Sequence, residues 1–164
     1  MMDKPVSYYA FQMLYWCGIR EGELLALTAA DFNFDKETVT INKSYQRLHG
    51  EDLITSPKTK KSNRTIKMPK FLCEEMQEYI GMLYGLQKKD RIFTITKSYL
   101  HHEMDRGARA AGVKRIRIHD LRHSHTALSI RSFSSGDTRK ATVLFLQRLQ
   151  LSKFFADISK IPLP

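Results

Sequence analysis

Four cationic side chains stand in a fixed order along this sequence: Arg20 within Gly18-Ile19-Arg20-Glu21-Gly22-Glu23-Leu24-Leu25-Ala26-Leu27, Lys58 within Pro57-Lys58-Thr59-Lys60-Lys61, and His119 with Arg122 within His119-Asp120-Leu121-Arg122-His123. Converged on one point, they would form a phosphate clamp. A phosphodiester in mid-transfer gathers extra charge on its non-bridging oxygens. Two guanidinium forks bond those oxygens and keep their charge near neutral pH, while a lysine and an imidazole also move protons. One chemical part is missing from the later sequence. Tyr99 is the last tyrosine and His125 the last histidine, so residues 126–164 contain neither a phenol nor an imidazole.

The elements around these residues can be read from pattern. Ser7 to Cys17 places Tyr9, Ala10, Met13, Leu14, Trp16 and Cys17 at helical spacing, and Gly18 comes next, where a helix needs a left-handed stop. Helix restarts over Glu21 to Leu27, with two glutamates in its first turn, which sets Arg20 at a helix entrance. Val39 and Ile41 alternate with Thr38, Thr40 and Asn42 as a half-buried strand, and Ser44 to His49 stays extended until a turn at Gly50. Ile54, the basic loop Lys58 to Arg64, and Thr65-Ile66-Lys67-Met68 are expected to form a hairpin with Lys58 and Lys60 at its tip. Pro69 starts a helix with Leu72, Met76, Tyr79, Ile80 and Leu83 on one face, closed by Gly85. Ser98 is the expected N-cap of the next helix, which runs through Leu100, Met104, Ala108 and Ala111 to Gly112. If the chain is helical from His119 to Ile130, then His119, Arg122 and His123 share a face. Taken alone, His-x-x-Arg has a plainer reading as a helix cap with Arg122 paired to Asp120 or a surface acid.

The chain has 164 residues and a net charge of +10, enough length for a real core and enough charge to favour a polyanionic partner. Leu53 to Lys70 holds six cations and no acid, and Arg106 to His123 holds six Lys/Arg against Asp120 alone. Both stretches are long enough to face a phosphate backbone. Cys17 and Cys73 lack metal-ligand spacing and read as reduced core thiols. His101 and His102 beside Glu103 and Asp105 point to different sides of a helix, so no metal site is assigned. No Gly-x-Gly-x-x-Gly or Walker loop is present, and no nucleotide cofactor is expected. The sequence has no apolar run long enough to span a membrane and no secretion leader, which fits a cytoplasmic protein.

Over roughly residues 5 to 130 the sequence resembles the catalytic domain of the tyrosine site-specific recombinases, the phage and mobile-element integrases. Arg20 matches the family's first arginine in Gly-Ile-Arg-x-x-Glu-Leu-Leu-x-Leu, Lys58 matches the β-hairpin lysine, and His119 with Arg122 match its His-x-x-Arg. The resemblance implies an α/β (α+β) fold, mainly helical with a small antiparallel sheet. It also implies attack of a tyrosine hydroxyl on double-stranded DNA through a 3′-phosphotyrosyl link, without metal or nucleotide cofactor. In that scheme Arg20 and Arg122 hold the non-bridging oxygens, Lys58 protonates the leaving 5′-oxygen, and His119 assists proton transfer. Lys60 is the alternative lysine. Lys60, Lys61, Arg64 and His123 would contact the DNA backbone, and other recombinase subunits would be partners on DNA.

The resemblance breaks after His-x-x-Arg, where the family continues to a Gly-His pair and then its tyrosine. The expected organisation is a partial catalytic domain over 1–130 and a divergent tail over 131–164, which a reading-frame shift near Ile130 would explain. In that tail Leu144, Leu151, Phe155 and Ile158 fall near helical spacing, and Phe154 lies near the nucleophile's place, where a phenyl ring cannot attack phosphorus. The separate helical DNA-binding domain common in integrases has no room before residue 5, so weak DNA affinity is expected. A rival of another class is a non-enzymatic DNA-binding remnant that occupies recombination sites or interferes with integrase assembly. Two more distant rivals are a type IB topoisomerase and a metal-free phosphodiesterase using His119 and His123 with water.

Overall fold

The computed structural model describes residues 5–56 and 63–122. The element order is α1 (Val6–Cys17), α2 (Glu21–Leu25), a 3-10 turn (Ala29–Asp31), β1 (Phe32–Asn33), β2 (Thr38–Ile41), β3 (Ser44–Leu48), β4 (Glu51–Thr55), β5 (Arg64–Lys67), α3 (Lys70–Met82) and α4 (Lys97–Ala110). Residues 118–122 are again helical. This is the α+β architecture expected, mainly helical with short antiparallel strands.

Helix α1 is the centre of the molecule. Pro5 precedes it with φ −68°, Gly18 ends it at φ 58°, and ten of its twelve residues are buried. A helix apolar nearly all round must be covered on several sides. It lies against α3 through the stacked rings of Tyr9 and Tyr79, centroids 4.2 Å apart, and through the Tyr8 hydroxyl, which donates to Glu75 Oε1 at 3.0 Å. The far side of the core is closed by Leu100 and Met104 of α4 and by Ile118 and Leu121. Those last two anchors fix the turn that carries His119 and Arg122.

The strands form two sheets, and here the sequence reading needs correction. β4 does not pair with β5 across the basic segment. It folds back on β3 in the register Tyr45↔Ile54, while β5 pairs with β2 in the register Val39↔Ile66 and β1 completes that three-stranded sheet. The local turn decides the outcome. His49 and Gly50 both take positive φ, 51° and 86°, which matches the twist of a tight hairpin and closes β3 on β4 before any distant strand can compete. β5 is left to the core strand, where Ile66 meets the fully buried Val39. Lys58, Lys60 and Lys61 lie outside the described residues, as do His123 and the whole tail reading over 131–164.

The N-cap of α4 also differs. Thr96, not Ser98, caps it, and its hydroxyl oxygen accepts the Tyr99 N–H at 3.1 Å. Both residue types cap well, and the helix begins at Lys97, earlier than a cap at Ser98 would allow. Thr96→Ala is expected to lower stability by about 1 kcal/mol. In thermal denaturation that is a fall of roughly 2–4 °C for a domain of this size.

Candidate phosphate-binding site

The site begins where α1 stops. Gly18 turns the chain in the left-handed region, Ile19 plugs into the core at 1% exposure, and Arg20 becomes the residue before α2 with its side chain 56% exposed. Three residues on, Glu23 is buried and reaches back to accept the Arg20 backbone N–H at 2.8 Å. That contact is the acidic half of a capping box and fixes the direction of Arg20.

Glu23 does more than cap. Its Oε1 accepts from Arg20 Nη1 at 3.0 Å, and Arg64 grips both oxygens, Nη1 to Oε1 at 3.1 Å and Nη2 to Oε2 at 2.7 Å. Arg122 Nη1 lies 4.0 Å from Oε2 and donates to the Gly18 carbonyl at 2.8 Å. Three guanidiniums therefore gather around one carboxylate. Burial alone would push the Glu23 carboxyl up, but the hydrogen bonds and charge of Arg64 and Arg20 win and hold it below its ordinary range. Arg122 is pulled below the usual arginine value by burial first and then by Arg20 and Arg64, with Glu23 opposing. Crowded cations of this kind are relieved by an arriving anion.

His119 is exposed and shares with Arg20 a cavity of about 430 Å³, also walled by Glu21, Ser44, Arg47 and Lys97. Gly22 makes that closeness possible. A Cβ there would sit 2.7 Å from Ser44 Oγ and 3.0 Å from the Tyr45 carbonyl, so a larger residue would force α2 and β3 apart. Glu21 is raised by burial, opposed by the charges of His101 and Lys97, and its Oε1 stands 3.7 Å from His101 Nε2.

Of the residues singled out by sequence, Arg20, Arg64 and Arg122 meet around Glu23, and His119 faces the same cavity as Arg20. Arg64 is not a loop cation turned to solvent: as the first residue of β5 it is committed to Glu23. Glu23 itself escaped the sequence reading except as a helix-dipole acid, although its spacing three after Arg20 is a capping-box signal. Lys97 and Arg47 carried no signal at all.

Residues 2–135 match the phage integrase family. The chain is 31% identical over 140 residues to the ICEBs1 integrase of Bacillus subtilis, covering 73% of this chain and 36% of that protein. It is 26% identical over 123 residues to the integrase of Mycobacterium phage L5, covering 69% and 33%. The chain thus spans about a third of the length of these curated relatives. Among solved structures, the Tn1549 transposon integrase in complex with circular intermediate DNA is similar at TM-score 0.61 and 20% identity, over 78% of this chain and 48% of that one. XerA recombinase is similar at TM-score 0.59 and 18% identity, over 96% of this chain and 52% of that one. At these identities the solved structures speak to the fold alone.

Proposed function

Since this chain belongs to the phage integrase family, we propose that residues 1–130 are the part of a recombinase catalytic domain that grips the backbone of double-stranded DNA, with one phosphodiester held between Arg20 and Arg122. His119 stands on the cavity wall to donate to a non-bridging oxygen or exchange a proton, and Lys58, or Lys60 beside it, protonates the leaving 5′-oxygen. The observation that carries this reading is the convergence of three guanidiniums on the buried Glu23, with His119 on the cavity that Arg20 lines. A phosphate brings negative charge to this cluster and accepts paired N–H bonds from an arginine fork. The Tn1549 integrase, similar in fold, is solved with DNA, which supports DNA as the partner here. Further recombinase subunits on the same DNA would complete the assembly, and a cytoplasmic location would suit that partner.

A second reading, a DNA-binding remnant without strand transfer, draws on the same arginine cluster, which can hold a phosphate whether or not a strand is cut. Arg122→Ala separates the two. If the site transfers strands, the substitution abolishes transfer, while duplex affinity measured by fluorescence anisotropy falls by only about tenfold, the worth of one charge-assisted contact. Transfer that survives the substitution would remove Arg122 from the chemistry, and unaltered affinity would remove it from the phosphate.

A further inference from the structure

The cavity beside Arg20 and His119 has more room and more charge than one phosphate uses. At about 430 Å³ it equals the share of roughly fourteen liquid waters. Its walls include Arg47 of β3 and Lys97, the first residue of α4, neither of which the clamp around Glu23 employs. Stability does not account for Lys97. The first turn of a helix favours acids, and a cation there is opposed by the helix dipole. Lys97 is exposed, forms no salt bridge among the described residues, and acts on Glu21 through charge alone. Arg47 is only loosely held: its side chain is 57% exposed and its ion pair with Asp52 Oδ1 is long, 3.7 Å from Nε.

Glu21 is the acid on this wall. Its Oε1 is buried without a hydrogen-bond partner. His101 and Lys97 are the cations that act on it by charge.

We propose that Lys97 and Arg47 hold the DNA phosphate next to the one gripped by Arg20 and Arg122, so that the cavity takes two consecutive phosphates of a single strand. Two anchored phosphates fix the direction of the strand as well as its position, which a single clamp leaves free to swivel. Neither residue touches the reacting phosphorus; both are positioning residues. The inference rests on the proposed binding of DNA by this site.

The test uses the whole 164-residue chain and short labelled duplexes of two unrelated sequences, with affinity measured across a salt series. Each phosphate contact contributes about 0.9 to the slope of log affinity against log salt on duplex DNA. Lys97→Ala and Arg47→Ala are each expected to flatten the slope by about 0.9, and the double variant by about 1.8, equally on both sequences. Lys97→Arg should keep the parental slope. Lys89→Ala, an exposed cation after α3 and on no wall of this cavity, should keep it as well. If the parent binds with a salt slope that Lys97→Ala and Arg47→Ala leave unchanged, the two-phosphate site is wrong while DNA binding stands. A slope that Lys89→Ala flattens equally also refutes it, because the effect is then general charge. A parent with no salt-dependent binding removes the DNA reading itself. Both positions are exposed, so circular dichroism and melting temperature should match the parent, which separates lost contact from lost fold.

Discussion

A nicked suicide duplex incubated with the 164-residue chain is expected to stay free of covalently bound protein. In such a substrate the short cleaved fragment diffuses away, so any tyrosine that attacks the phosphate remains trapped and appears as a slower band on a denaturing gel. The tyrosines of this chain are all at or before Tyr99, and their placement argues against each. Tyr8, Tyr9, Tyr15 and Tyr79 are buried in the core around α1. Tyr84 is fully exposed beyond the end of α3 and lines no part of the cavity. Tyr99 is raised above its ordinary value by burial and then by Glu103. Tyr45 is the tyrosine on the cavity wall, yet its hydroxyl donates to Asp52 at 2.7 Å and Arg91 covers its ring at 4.3 Å. The bond to Asp52, reinforced by burial, pushes that phenol up and holds its proton away from the phosphate. A trapped adduct would overturn the expectation, and Tyr45→Phe would then be the first substitution to ask whether that residue forms it.

Replacing Glu23 with glutamine should be the most damaging single change to the fold of the site. The substitution preserves shape but removes the negative charge around which Arg20, Arg64 and Arg122 gather. Breaking a buried ion pair from one side costs about 3–5 kcal/mol because the partner is left uncompensated. For a domain of this size that is a drop on the order of 10 °C in melting temperature. The pH dependence carries the same sign. Glu23 is held below its ordinary carboxyl value of 4.5, so the unfolded chain binds the proton more readily than the folded one. Its contribution is complete above the unfolded value and is lost as pH falls through the lower folded value. Urea midpoints of parent and Glu23→Gln should therefore differ widely at neutral pH and approach each other in acid. Midpoints that coincide at neutral pH would show that the arginines need no central carboxylate.

The parts of this site visible in the sequence are those written locally. The left-handed Gly18 and the helical spacing of α1 and α3 lie within a turn or two of the residues they position. The parts that stayed hidden are long-range. Arg64 lies 41 residues from Glu23, and nothing near Arg64 tells a strand-end cation committed to a carboxylate from a loop cation facing DNA. Strand partners failed for a related reason. Residues 51–55 and 64–67 are equally able to pair across a basic loop, and the choice was made elsewhere, by the tight turn at His49 and Gly50 and by the burial of Val39. Thr96 and Ser98 show a smaller case, in which two good caps close together leave the helix start undetermined until the Tyr99 N–H finds its acceptor.

The hydrogen bond from Arg122 to the Gly18 carbonyl joins residues 104 positions apart. On a translating ribosome, adding about 5–20 residues each second, Arg20 therefore emerges several seconds before the arginine that completes its pocket. Throughout that interval the nascent chain has one half of the clamp and no means of closing it.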